Sequence, residues 1–306
     1  MSKVRKTTAS WTDRLVGWPV IWILNGLGKL SWDASWKLGG IAGRMLYRLD
    51  VRHRRIAMEN LCLAYGSEAM GEKARRDLTR KAFENVARLF LETAKIPGLK
   101  GEELQDRFEL ERGEILKEAY EEGKGVIVIC AHLGNWEIMA RTFGSLGYRY
   151  AVIYRTMDNL VLDEKMRETR MVGGEIIRRE EMFKSVRGAL KEGKIVAFMS
   201  DQNAGKKGVF VPFFGIQAST TPAPAIFAQA TGAPIIPVFC YRKAPGRFLA
   251  VVHSAIRAKP GRERRDEQLE LTEAFTLAIE RAVRRHPEQW FWMHRRWRTR
   301  PPEERT

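Results

Sequence analysis

The chain lacks most of the signatures by which common enzyme chemistries are recognised. It has no G-x-S-x-G nucleophile elbow and no P-loop, so neither an α/β-type serine hydrolase nor P-loop phosphoryl transfer is indicated. Only three of its 306 residues are cysteine, at Cys62, Cys130 and Cys240. An odd number so widely spread supplies no disulfide framework and no zinc spacing, which fits a reducing compartment. No metal-ligand cluster is visible, and there is no low-complexity tract or internal repeat. A long apolar run is missing too. The nearest, Leu15 to Leu27, would make a helix of roughly 20 Å, short of a hydrocarbon core of roughly 30 Å. Pro19 sits inside it, and no small-residue cleavage site follows, which argues against a secretory signal peptide.

What is present begins with charge. Lysine and arginine exceed aspartate and glutamate by 16, which implies anionic partners: nucleic acid, anionic lipid or an acidic protein. Five of the nine tryptophans, Trp11, Trp18, Trp22, Trp32 and Trp36, precede residue 37. Tryptophan favours the membrane–water interface, so residues 1–30 read as an interfacial or shallowly inserted segment. The competing reading is a core helix wrapped in tryptophan. Residues 31–100 look helical, with the basic run Arg52-His-Arg-Arg55 entering one helix and Leu78, Ala82, Val86, Leu89 and Phe90 at helical spacing in the next. Pro97-Gly98 ends this region.

From Phe108 strands and helices alternate. Strands are predicted at 125–130, 150–154, 175–178, 195–199, 235–241 and 248–253, and helices at 113–122, 136–146, 158–171, 181–192, 220–231 and 266–285. This pattern argues an α/β fold with a mixed, mostly parallel central sheet flanked by helices. The last two strands, joined through Ala244-Pro-Gly246, read as a hairpin. Residues 101–300 would form the core, compact with the helical region before it.

One stretch organises the chain: Gly125-Val-Ile-Val-Ile-Cys-Ala-His-Leu-Gly-Asn-Trp-Glu137. A continuous β-branched run bounded by glycine is a strand buried on both faces. His132 then falls at its carboxyl end, where open α/β sheets place ligands. Asn135 is a helix N-cap with Glu137 in the first turn. A strand–turn–helix lets His132 and Glu137 converge as a general base and its carboxylate. Cys130 is set aside as a nucleophile because it closes a buried apolar run. Arg155 and Asp201-Gln202 also follow strands. Arg155 suits a phosphate or a developing oxyanion, and Asp201 would orient Arg155 or bind substrate. Phe210, Phe213 and Phe214 serve either the core or an apolar substrate wall. Thr220 and Thr221 are expected to cap the helix running through Pro222. His253 and His294 have no partner at a telling spacing.

The block Cys130-Ala-His-Leu-Gly-Asn-Trp-Glu137 resembles the H-x4-D/E motif of the bacterial lipid A biosynthesis acyltransferases, the late lauroyl and myristoyl transferases. Further blocks follow in order: Tyr154-Arg155, Met199-Ser-Asp-Gln-Asn203, Phe210-Val-Pro-Phe-Phe-Gly215, Ala218-Ser-Thr-Thr221, Thr231-Gly-Ala-Pro234 and Pro287-Glu-Gln-Trp-Phe-Trp-Met-His-Arg-Arg-Trp297. The resemblance implies a glycerolipid-acyltransferase-like fold and O-acyl transfer from an acyl carrier protein thioester, with acyl-CoA as the alternative donor. The acceptor would be a hydroxyl of an anionic, phosphorylated glucosamine lipid. No metal or other cofactor is implied. His132 and Glu137 would be catalytic, with Arg155, Asp201, Gln202 and Asn135 binding substrate. Arg155 or backbone N–H groups would meet the charge on the thioester oxygen. The family works at the cytoplasmic face of the inner membrane, so a membrane surface is the expected setting and nucleic acid is not an expected partner. Arg52, Arg54, Arg55, Arg295, Arg296, Arg298 and Arg300 are candidates to draw in the acidic donor.

Three other readings use the same residues. A glycerolipid acyltransferase would carry a second block, Glu-Gly-Thr-Arg, where Ser200-Asp-Gln-Asn203 stands. A mannolipid acyltransferase would take acyl-CoA. A basic binding protein without catalysis would explain the charge, but not three polar residues at strand ends, and the basic residues here are spread along the chain.

Overall fold

The computed structural model describes residues 9–99, 101–154, 156–171, 174–259, 261 and 263–304. Four helices come first: α1 (Trp11–Gly28), α2 (Trp32–Leu49), α3 (Val51–Tyr65) and α4 (Glu72–Thr93). The first three start on side-chain caps, where Ser10, Ser31 and Asp50 accept from the backbone N–H of Asp13, Ala34 and His53. Helix α2 crosses α4 closely because Gly39 and Gly43 face it; a Cβ on Gly43 would overlap the Glu84 backbone. Beside this crossing Trp36 lies 4.0 Å under the Arg88 guanidinium.

The alternating region follows as α5 (Gly101–Arg107), β1 (Phe108–Glu111), α6 (Gly113–Glu121), β2 (Val126–Cys130), α7 (Trp136–Ser145), β3 (Tyr150–Tyr154), α8 (Leu160–Met171), β4 (Glu175–Arg178), α9 (Met182–Lys191) and β5 (Ile195–Met199). Then come β6 (Val209–Phe213), β7 (Ile216–Thr220), α10 (Ala223–Thr231), β8 (Ile235–Ala244), β9 (Arg247–Val252) and α11 (Arg264–Arg285). The seven-stranded sheet has the order β1-β9-β8-β2-β5-β3-β4. The strands from β8 to β4 run parallel, and β9 turns back on β8 as the expected hairpin, carrying β1 along its outer edge.

Strand β2 is buried along its whole length, as its apolar run requires. Ile127 and Ile129 face one core layer, shared with α9, α10 and α11. Val126, Val128 and Cys130 face the other, under α5, α6 and α7.

Neither α5 nor β1 is among the predicted elements, and the region 209–231 departs further from expectation. The segment 209–220 is a second, two-stranded sheet, β6 with β7. Its turn is Phe214-Gly215, with φ of 55° and 75°. Two-residue hairpin turns of this hand need positive φ at both positions, a strain for phenylalanine. The strain is offset by the Phe214 N–H donating to Glu280 at 2.5 Å and by burial of the ring among Trp292, Trp297 and Tyr65. Since β7 runs to Thr220, helix α10 begins only at Ala223. The N-cap is Pro222, so neither threonine caps the helix as expected: Thr221 accepts from the Ala223 N–H at 3.3 Å from one position further out, and Thr220 is buried in the strand.

Helix α1 continues through Pro19. Gly17 packs on α8 so closely that a Cβ would meet Val161, and Asn159 donates to the Asp13 carbonyl at 3.1 Å. Trp11, Leu15, Trp18, Trp22 and Ile23 point outward, with Trp22 78% exposed. The core-helix reading therefore fails for these tryptophans. Trp32 is different, packing edge-on against Phe248. Among the described residues no helix is long and apolar enough to cross a membrane.

Candidate active site

Strands β2 and β5 lie side by side and parallel, with Cys130 opposite Met199. The residues two beyond each of these, His132 and Asp201, therefore leave the sheet together. Asp201 is buried, and its three polar contacts converge from two segments, the His132 loop and the segment of Trp290. His132 Nδ1 lies 2.8 Å from Asp201 Oδ1, the His132 backbone N–H donates to Oδ2 at 2.9 Å, and the Trp290 indole N–H donates to Oδ2 at 2.8 Å. Burial pushes this carboxyl up, but the His132 ring and the three donors outweigh it and hold Asp201 at about 2. An ionised carboxylate accepts, so Nδ1 of His132 carries the proton and Nε2 presents a lone pair. The ring is wedged edge-on against Trp136, with centroids 5.0 Å apart.

Nε2 opens on a cavity of about 590 Å³. Its apolar walls come from α4 (Leu89, Phe90), α7 (Met139, Phe143), β5 (Ala197) and α8 (Met166). The volume lies within the range of ligand pockets, about 300–1,000 Å³.

The sequence-based assignments are sorted by this geometry. His132 stands where expected. The carboxylate on its Nδ1 is Asp201, where the sequence led to the expectation that Glu137 would hold His132 and that Asp201 would orient Arg155 or bind substrate. The reason is strand adjacency: β5 is the neighbour of β2, and its end delivers an acid directly to the ring. Glu137 lies in the first turn of α7, accepts from the Trp136 indole N–H at 3.1 Å and lines the cavity with His132. Gln202 reaches the cavity, its Nε2 3.4 Å from His132 Nε2. Asn135 caps α7, its Oδ1 accepting from the Ile138 N–H at 3.0 Å, but it is 0% exposed. Its side-chain amide donates inward to Glu92, so it faces the interior rather than a substrate. Arg155 lies outside the described residues; its strand, β3, is next but one to β2, with β5 between.

Other expectations change as well. Phe213 and Phe214 belong to the core around Trp290, Trp292 and Trp297, not to the cavity wall. Cys130 touches the cavity, but burial pushes its thiol far above the ordinary range, consistent with an inert wall. Arg296 is no surface charge. It is 1% exposed and donates to the Ser219 carbonyl, the Gln202 carbonyl and Thr220 Oγ1. Burial lowers its guanidinium to about 10 against the pull of Asp201. Arg295 and Arg298 beside it are exposed. The sequence reading missed Trp290, although it lies in a block that carries the family resemblance. An indole flanked by other buried aromatics gives no local sign of the acid it serves.

An imidazole hydrogen-bonded to a buried carboxylate, beside an apolar cavity at the carboxyl ends of parallel strands, is the site of an α/β enzyme. The sequence profile described as bacterial lipid A biosynthesis acyltransferase matches residues 2–299, and the chain belongs to this family of acyltransferases. It is 27% identical to the lipid A biosynthesis lauroyltransferase of Escherichia coli (strain K12) over 289 residues, 94% of this chain and 91% of that protein. It is likewise 27% identical to the lipid A biosynthesis palmitoleoyltransferase of the same organism, over 86% of this chain and 85% of the relative. Beyond these, it is 24% identical to a phosphatidylinositol mannoside acyltransferase of Mycolicibacterium smegmatis (strain ATCC 700084 / mc(2)155), over 72% of each chain.

Proposed function

We propose that this acyltransferase moves a fatty acyl chain from an acyl carrier protein thioester to a hydroxyl of a lipid A precursor or a related anionic glycolipid. The observation that carries the reading is the His132–Asp201 pair, with Nε2 opening on the apolar cavity. The acyl chain occupies the cavity and sets the thioester carbon beside Nε2. His132 takes the acceptor hydroxyl proton as that oxygen attacks the carbonyl carbon. The C–O bond forms, the carbonyl oxygen becomes an oxyanion, and Arg155 or backbone N–H groups meet its charge. Collapse breaks the C–S bond, and the imidazolium returns its proton to the leaving thiolate. Asp201 stays ionised throughout and stabilises the imidazolium. Gln202, beside Nε2, is placed to bind the acceptor hydroxyl. The enzyme works at the cytoplasmic face of the inner membrane, seated by the outward apolar side of α1.

The similarity to a phosphatidylinositol mannoside acyltransferase favours a second acceptor class, and acyl-CoA is the alternative donor. Purified protein offered both donors, with a lipid A precursor and a mannosylated phosphoinositide in parallel, separates the two by mass spectrometry of the product lipids. We expect acylated lipid A precursor from the carrier thioester. His132→Ala should abolish it; near-normal turnover by that variant would sink the general-base reading.

A further inference from the structure

Beneath the loop that carries His132 lies a second polar assembly, wholly interior. Arg242, on β8, donates through Nε and Nη2 to the two carboxylate oxygens of Glu92, on α4, at 2.7 and 2.6 Å. The two side chains are 2% and 4% exposed. Arg242 Nη1 also donates to Asn85. Asn135 Nδ2 donates to Glu92 at 2.8 Å. Gln289 is clasped to the Arg242 backbone, accepting from its N–H at 2.8 Å and donating to its carbonyl at 3.1 Å. The Gln289 carbonyl in turn accepts from Asn85 at 2.8 Å and from the Gly134 N–H at 3.0 Å.

Stability does not account for this arrangement. Taking two charges out of water costs about as much as their attraction returns, and apolar replacements of such pairs are often as stable. What a bidentate, fully bonded pair does well is fix positions. Here the positions are those of the catalytic groups. Gly134 and Asn135 lie two and three residues after His132 in the loop, and a Cβ on Gly134 would overlap the Cys240 carbonyl, so the loop is pressed onto β8. On the other side Gln289 precedes Trp290, which donates to Asp201, and Phe291, whose N–H donates to the His132 carbonyl at 3.0 Å. Both halves of the His132–Asp201 pair hang from the same buried assembly. Helix α4, which carries Asn85 and Glu92, also supplies Leu89 and Phe90 to the cavity wall.

We propose that Glu92 and Arg242 are positioning residues for acyl transfer: they lock the 132–135 loop and the 289–291 segment together, so that His132 Nε2 keeps its aim. This rests on the general-base role of His132 given above. Misplacing a catalytic group by about 1 Å costs on the order of 10²-fold in rate. The paired swap Glu92→Leu with Arg242→Met leaves no buried charge unpaired. It should fold, with a cooperative melt and a donor KM within about two-fold of wild type, while kcat falls about 10- to 100-fold. The acid limb of kcat/KM should move to lower pH, because an imidazolium held less firmly against Asp201 is less stabilised. Added to Asp201→Asn, the swap should cost far less than it does alone, since both act through one pair.

His132→Ala is assayed beside it. An active His132→Ala protein removes the general-base reading on which the proposal stands. An inactive His132→Ala protein beside a folded paired swap with wild-type kcat and pH profile overturns the positioning role alone. Should the swap not fold, Asn135→Ser decides, because serine keeps the cap oxygen for α7 and loses only the donor to Glu92. A drop of about ten-fold in kcat at unchanged KM supports the proposal, and unchanged kcat overturns it.

Discussion

Two sets of apolar side chains lie outside the packed core, and they differ in setting. On α1 and α2 Trp18, Trp22, Ile23, Ile41 and Met45 are exposed. Beneath α7 and α8 the apolar side chains instead line a concavity with His132 at its mouth. Helix α8 stands between the two, with Val161 against Gly17 of α1 and Met166 in the cavity wall. Exposed apolar side chains that include tryptophan match a lipid surface, whereas a cavity holds a single chain. Exposed apolar area is thus not one property of the molecule. One part would set where the enzyme sits, and the other what it reacts.

The largest expected effect breaks the concave side. Asp201→Asn keeps the shape but no longer fixes the Nδ1–H tautomer, and kcat should fall by about 10³-fold or more. Glu137→Gln should lower it only about ten-fold. Steady-state kinetics of both variants decide between the two acids; the reverse order would return the orienting role to Glu137. The pair also predicts a pH signature. Asp201 is held below the ordinary 3.8, at about 2, so its charge contributes stability above pH 3.8 that is lost as pH falls towards 2. The melting-temperature gap between wild type and Asp201→Asn should therefore narrow as pH falls below about 4.

An intermediate effect is expected at the exposed tryptophans of α1. Trp18→Glu with Trp22→Glu should reduce partitioning onto anionic vesicles by at least about ten-fold, read by co-sedimentation. Turnover of detergent-dispersed substrates should stay within about two-fold. Unchanged sedimentation would assign the anchoring to another surface.

The smallest effect sharpens the cavity's own role. Ala197, on β5 between Val128 and Val152, is a small side chain on the cavity floor. Ala197→Leu should lower kcat/KM for the longest accepted acyl thioesters about ten-fold and leave short ones nearly unaffected. Equal losses at every chain length would mean that the acyl group lies elsewhere.

The parts of this protein set by local sequence were legible without a structure. The buried β-branched run, the asparagine cap and His132 at the strand end follow from periodicity and turn chemistry within a dozen residues. So does the hairpin of β8 and β9. For the tryptophans of α1 composition left an interfacial and a core reading open, and only their exposure decides between them. Strand order is not local. That β5 rather than β3 adjoins β2 decided that Asp201, 69 residues away, holds His132. Arg242 and Glu92 are 150 residues apart, and neither sits in a segment whose pattern marks it as buried and charged. Arg296 reads as one more basic residue in a basic tail, and only the closing of β7 over it removes it from water. Hydrophobic pattern dictates which residues must be covered, but which polar groups meet beneath the cover depends on how distant elements stack, and that is settled by packing the whole chain.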